Sequence, residues 1–332
     1  MKEDNLKEVD ELLKKYDSIG PGIAIMAIKN GDIKYRRELG LACIEHNIKV
    51  NSNTAFNIAS ITKQFTGFAI MLLSQNNLLN YDDLLISYLP ELKHYSDVTI
   101  RNLLNNTSGI ENYYDILSRK RISPYLITNS EVLDLLIESK LLFTPGTMFD
   151  YSNSNYVLLS IIVERVSKRS FIQYIKEEIF VRLGMNNSYI LDENQSVIPN
   201  RAYGYKKDES FICDDLEALT VGDGGIYSTL DDLYLWAEAL NGGRLITKGN
   251  LQLAFTPALG KNGEKLEEDY GFGWSIDFDT SKVWHTGLYG GFRSVITRYT
   301  LDGFTVLILS NSSECSWEER KSITSKLYKI FN

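Results

Sequence analysis

The chain is poor in the residues that build metal sites and covalent frameworks. Among its 332 residues there are only three histidines and three cysteines. His46, His94 and His285 lie far apart, and none sits in an H-E-x-x-H or comparable spacing, which argues against a zinc mechanism. Cys43, Cys213 and Cys315 are odd in number and widely separated, so no disulfide framework is implied. No run of 18 apolar residues is present, which excludes an ordinary membrane-spanning helix. No long Lys/Arg-rich run occurs either, and the net charge is −8; nucleic acid and anionic membrane are therefore not expected as partners. Met1-Lys2-Glu3-Asp4-Asn5-Leu6 is not followed by the apolar core of a signal peptide. A cytoplasmic location is expected, or an extracytoplasmic one if a leader has been removed.

What is present suits an ordinary globular protein, 44% hydrophobic and 23% charged, long enough for one large domain or two. Leu6, Val9, Leu12 and Leu13 mark one face of an opening helix. Residues 21–28 read as a strand, Asn30-Gly31 as a tight hairpin turn and residues 33–38 as the returning strand. The last third has the same texture. Strands are expected at 273–278, 282–285, 292–299 and 304–310, with Asp302-Gly303 turning the last pair and a helix over 317–330. The middle reads as helices at 60–75, 99–104, 130–139, 156–168 and 171–183, with Thr99 and Ser130 as N-caps, and a further helix opens at Ser228-Thr229 and closes at Gly242-Gly243. The expected fold is α/β in the α+β sense. An antiparallel sheet is built from both chain ends (1–58 and 216–332) with flanking helices, and 59–215 forms an inserted, mostly helical region. The active site is expected in the cleft between them.

Chemistry enters at Ser60-Ile61-Thr62-Lys63. A serine hydroxyl is a poor nucleophile until a neighbour takes its proton, and residues three apart on a helix share a face. Lys63 can therefore reach Ser60 without help from the rest of the fold. Tyr151-Ser152-Asn153 follows Pro145-Gly146 in a loop; a phenol serves as a base at neutral pH only when a nearby cation makes it more acidic, and Lys63 is the candidate cation. Asn153 has two possible uses, as a donor to a substrate carbonyl or as an acceptor for Lys63. His285-Thr286-Gly287 ends a strand, and the glycine lets a ligand approach the backbone. The N–H of Leu288 is placed to join that of Ser60 as an oxyanion hole. Gly222-Asp223-Gly224-Gly225 lacks the G-x-G-x-x-G register and reads as a tight turn.

Taken in order, these segments resemble the serine β-lactamase and penicillin-binding protein superfamily, and most closely its branch of class C β-lactamases, DD-peptidases and related esterases. The resemblance runs along nearly the whole chain. It is carried by Phe56-Asn57-Ile58-Ala59-Ser60-Ile61-Thr62-Lys63-Gln64, Leu103-Leu104-Asn105-Asn106-Thr107-Ser108-Gly109 and Phe143-Thr144-Pro145-Gly146. Further on come Tyr151-Ser152-Asn153-Ser154-Asn155-Tyr156, Leu183-Gly184-Met185, Gly224-Gly225-Ile226-Tyr227-Ser228-Thr229, Tyr270-Gly271-Phe272-Gly273-Trp274 and His285-Thr286-Gly287.

The resemblance implies a β-lactamase/transpeptidase-like fold and a serine hydrolase with an acyl-enzyme, no cofactor and no metal. Ser60 would be acylated, Lys63 and Tyr151 would share the proton transfers in either order, and Asn153 would contact a substrate amide. The strand residues His285, Thr286, Gly287 and Leu288 would bind substrate. The substrates implied are small molecules or short peptides with amide, ester or D-peptide carbonyls, and a covalent β-lactam adduct is possible. Three departures shift the emphasis. His285 stands where class C β-lactamases carry lysine, which removes a permanent cation and points toward peptidase- or esterase-like work. Asn106 replaces the branch's usual histidine and is expected to be structural. Arg293 is either an anchor for a substrate carboxylate or a solvent-facing strand residue. The competing reading is a penicillin-binding or sensor protein that is acylated without turnover.

Overall fold

The computed structural model describes residues 2–17, 19–191, 197–215 and 218–332. Its centre is a six-stranded antiparallel sheet in the spatial order Ser275–Asp277, Lys282–Tyr289, Phe292–Tyr299, Phe304–Ser310, Ile23–Lys29 and Asp32–Leu39. Strands from the beginning and end of the chain meet where Ile23–Lys29 pairs with Phe304–Ser310. These two strands are apolar at nearly every position because both sheet faces are covered. Successive side chains point to opposite faces, so one strand supplies two cores. Ile23, Ile25 and Ala27 join Val306, Ile308, Ile323 and Leu327 under the first and last helices, Lys2–Leu13 and Trp317–Phe331. Ala24, Met26, Ile28, Leu307 and Leu309 face the larger core shared with the middle of the chain.

That larger core is organised around the helix Thr62–Gln75, buried at every position from Thr62 to Leu73. The helix is enclosed on all sides, its polar first turn included, and it packs against Asn153–Ser167. Removing one of its fully buried residues, such as Phe65 or Ile70, is expected to cost about 2–5 kcal/mol. Among the described residues, no helix is long and apolar enough to cross a membrane.

Several boundaries differ from the sequence reading. The helix expected at 130–139 runs Asn129–Ile137, and its cap is Thr128, whose side chain and Glu131 form a capping box; Ser130 lies inside the first turn. The helix expected from 156 begins at Asn153, which moves Asn153 from a loop onto a first turn. The stretch 171–183 is interrupted by a π-type turn at Lys176–Phe180. The 273–278 strand shortens to Ser275–Asp277, and the 282–285 strand continues through Gly287 to Tyr289. Helices Tyr113–Lys120 and Lys248–Ala254, and a small sheet of Phe56–Asn57, Ile226–Ser228 and Tyr189–Ile190, were not foreseen. The expected boundary at 215/216 touches residues 216–217, which lie outside the described residues.

Candidate active site

Ser60 sits in a single 3-10 turn, Ala59–Ile61, immediately before the buried Thr62–Gln75 helix. Ala59 is held in the left-handed region at φ 48, where a residue with a Cβ costs about 1–2 kcal/mol. The buried Asn57 side chain stabilises it by accepting from the Ala59 N–H at 2.8 Å. The sharp bend delivers Ser60 to the cleft while its neighbours stay in the core. Gly287 passes directly over this bend, and a Cβ there would lie 2.1 Å from the Ile58 carbonyl oxygen. Only glycine lets the Lys282–Tyr289 strand come so close.

Lys63 is completely buried. Its Nζ lies 3.2 Å from Ser60 Oγ, 2.7 Å from Asn153 Oδ1 and 2.9 Å from the main-chain carbonyl of Asp223. An ammonium has three donors, and three acceptors surround it. The Nζ also stands 5.0 Å from the centroid of the Tyr151 ring. Asn153 is thus an acceptor for Lys63, while its Nδ2 donates to Asn112 Oδ1 at 3.3 Å. Asn106 works as a brace, as expected. Its Oδ1 accepts from the Ser152 N–H and from Asn155 Nδ2, holding the segment that carries Tyr151.

His285 is buried and both of its ring nitrogens are engaged inside the protein. Nδ1 lies 2.7 Å from the Thr286 carbonyl oxygen, and Nε2 lies 3.0 Å from the Tyr270 hydroxyl. A carbonyl only accepts, so Nδ1 carries the proton and Nε2 accepts from Tyr270. Burial, with a further contribution from the Lys63 charge, pushes the imidazole down to about 3. Burial likewise pushes the Tyr270 hydroxyl well above its ordinary range, so it keeps the proton it donates. His285 is therefore neutral and positioned by Tyr270.

Two cavities, of about 390 and 460 Å³, adjoin at this point, and both are lined by Ser60, Asn153 and Leu288. Tyr151, Tyr270, His285 and Thr286 line the second; Asp223, Tyr289 and Arg293 line the first. The Lys282–Tyr289 strand pairs with Ser275–Asp277 only as far as Trp284, so its outer edge beside Leu288 has no strand partner among the described residues. Of the eight residues singled out in the sequence, Ser60, Tyr151, Asn153, His285, Thr286 and Leu288 line this cleft, while Lys63 is buried against Ser60 and Gly287 packs against the Ile58 carbonyl. Sequence reading missed Asn57, Asn112, Asp223 and Tyr270. Asp223 was seen only as part of a turn, because its contribution to Lys63 is a main-chain carbonyl that carries no residue signature. The resemblance already contained Asn57 and Tyr270, without a role for either.

A sheet from both chain ends, a helical region over it and a Ser-x-x-Lys bend in the cleft define the serine β-lactamase/penicillin-binding-protein class. The comparisons are specific. The sequence model of the family described as Beta-lactamase matches residues 9–324, and the chain belongs to that family. It is 32% identical over 326 residues to "Penicillin-binding protein 4*" of Bacillus subtilis (strain 168), covering 92% of this chain and 72% of that one. It is 27% identical to "Protein flp" of Staphylococcus aureus (strain MW2) over 93% of this chain, and spans 63% of that relative, less than two thirds of its length. Among solved structures, a penicillin-binding protein from Bacillus halodurans superposes with a TM-score of 0.83 at 27% identity, covering 97% of this chain and 99% of the other.

Proposed function

We propose that the protein is a serine hydrolase that forms an acyl-enzyme on Ser60 and acts on ester, amide or D-peptide carbonyls of small molecules or short peptides. The observation that carries this reading is the 3.2 Å contact between Lys63 Nζ and Ser60 Oγ at the junction of two cavities. With Asn153 Oδ1 and the Asp223 carbonyl oxygen taking two of its hydrogens, Lys63 has one contact whose direction can reverse, the one to Ser60. Through that contact Lys63 Nζ takes up the Ser60 proton while Oγ attacks the substrate carbonyl carbon. The oxyanion is received by the N–H groups of Ser60 and Leu288, the arrangement that usually contributes most to acyl transfer. Tyr151 passes a proton to the departing oxygen or nitrogen, and water then releases the acyl group by the reverse route. Asn153 Nδ2, Thr286 and the free edge at Gly287 and Leu288 hold the substrate backbone.

The neutral His285 supports a peptidase- or esterase-like specificity over efficient β-lactam turnover, because no permanent cation stands at that position. The test compares kcat/KM on a short-chain p-nitrophenyl ester, a D-Ala-D-Ala peptide and a chromogenic cephalosporin. Turnover of the ester or peptide with slow cephalosporin hydrolysis is expected. A cephalosporin rate exceeding the other two would contradict the specificity.

A further inference from the structure

We propose that the acyl group of the substrate carries an amine close to its carbonyl carbon, and that Asp223 in the wall of the smaller cavity receives it. The proposal rests on the acyl-enzyme reading above and names a substrate class for that same site.

The two cavities divide the substrate between them. When Ser60 Oγ bonds to the carbonyl carbon, the bond from that carbon to the leaving oxygen or nitrogen breaks, and the serine proton ends on the leaving atom. The hydroxyl proposed to deliver it must face that atom. Tyr151 lines the cavity of about 460 Å³ and not the one of about 390 Å³, so the acyl group occupies the latter.

Among the described residues, Asp223 is the one carboxylate in the wall of this acyl cavity, and it is only 5% exposed. A carboxylate can accept about four hydrogen bonds. Asp223 Oδ2 accepts from the Tyr113 hydroxyl at 3.1 Å, while Oδ1 is buried with no partner. Lys63 does not supply the missing donor. Its three hydrogens go to Ser60 Oγ, Asn153 Oδ1 and the main-chain carbonyl of Asp223, and none is left for the carboxylate. Burial outweighs the Lys63 charge, the Tyr113 hydrogen bond and smaller contributions from the main chain and Thr220, and holds the carboxyl above its ordinary range. A buried acceptor left open is costly, so a donor brought in by the substrate is favoured.

Arg293 borders the same cavity but is turned from it. Alternation along Phe292–Tyr299 puts Phe292 and Ile296 in the larger core, and Val295 and Tyr299 under the first and last helices. Arg293 shares the parity of the second pair. Its Nη1 donates to the Gly290 and Phe292 carbonyl oxygens, and its neighbours there include Cys315 and Arg320. No other lysine or arginine lines the cavity among the described residues.

The rest of the wall suits an ammonium. Tyr114 and Tyr289 stand near Asp223, and burial, with a further push from its charge, raises both phenols so that they stay neutral. Neutral aromatic rings attract a cation. The reach is short, because Lys63 Nζ touches both Ser60 Oγ and the Asp223 carbonyl. An amine on the first or second carbon beyond the acyl carbonyl spans it.

Three phenyl esters of similar size test this: 3-aminopropionyl, butyryl and malonyl, which end on an ammonium, a methyl and a carboxylate. Each kcat/KM is divided by the uncatalysed hydrolysis rate of the same ester in the same buffer, which removes intrinsic reactivity. The 3-aminopropionyl ester is expected to exceed the butyryl ester about tenfold, as for one hydrogen bond to a charged group, with malonyl the poorest. Asp223→Asn, which keeps the main-chain carbonyl, should bring the 3-aminopropionyl to butyryl ratio to about one. Ratios measured within one preparation do not depend on the fraction folded, and the wild-type ratio stands as a test even where the variant fails to fold. Equal or inverted rates in the wild type, or a preference that survives Asp223→Asn, would overturn the amine site while leaving the hydrolase standing. Absence of any hydrolysis and of any acyl adduct by intact mass would overturn both.

Discussion

Lys63 Nζ donates to the main-chain carbonyl of Asp223 at 2.9 Å, linking the nucleophile helix to a turn 160 residues away. The turn is pressed into place by Gly222, whose φ is +102 and whose added Cβ would lie 2.5 Å from the Tyr156 carbonyl oxygen. Thr66 Oγ1 fastens the same turn from the nucleophile helix, donating to the Gly222 carbonyl at 2.7 Å.

Gly222→Ala is therefore expected to move the Asp223 carbonyl away from Lys63 without touching the substrate. We expect kcat to fall at least about tenfold with little change in KM, and stability to fall by about 1–3 kcal/mol from overpacking. Steady-state kinetics and urea unfolding check this; unchanged kcat would show that the carbonyl does not set the position of Lys63.

Tyr151→Phe removes the hydroxyl proposed to protonate the departing atom. Acylation by an amide or peptide substrate should slow by at least about a hundredfold, the low end for general acid–base catalysis. A p-nitrophenyl ester, whose leaving group departs without protonation, should lose much less. Near-normal amide acylation would assign the whole proton transfer to Lys63.

His285 makes a pH prediction whose sign is fixed by its direction. Its folded value of about 3 lies below its ordinary 6.5, so between these the unfolded chain binds a proton that the folded protein excludes. Its contribution to stability is undiminished above 6.5 and is lost as pH falls toward 3, reaching about 3 kcal/mol by pH 4. Comparing wild type with His285→Gln by urea unfolding at pH 7 and pH 4 isolates this slope from that of the carboxylates. The wild type should lose more stability than the variant on acidification; equal losses would mean that the imidazole titrates freely.

Much of the fold and of the site is legible in the amino-acid sequence. Asp302-Gly303 marks the turn between the strands 292–299 and 304–310, and burial on both faces explains why Phe304–Ser310 and Ile23–Lys29 read as nearly unbroken apolar runs. Ser60, Lys63, Tyr151 and Asn153 stand out because each contributes a side chain whose chemistry is visible in its letter. What is not legible acts through backbone or through space. The Asp223 carbonyl, the Ala59 bend held by Asn57 and the tautomer of His285 set by Tyr270 depend on long-range packing that no local pattern encodes. Thr128 displaces Ser130 as a cap because its partner Glu131 lies three residues on, in capping-box register.

The mechanism stands on Ser60 as the acylated nucleophile. Intact-mass detection after fluorophosphonate treatment tests it most directly. One adduct per chain is predicted for the wild type, and none for Ser60→Ala with an unchanged unfolding midpoint. A wild type without an adduct, or a Ser60→Ala protein that still carries one, would contradict the mechanism proposed here.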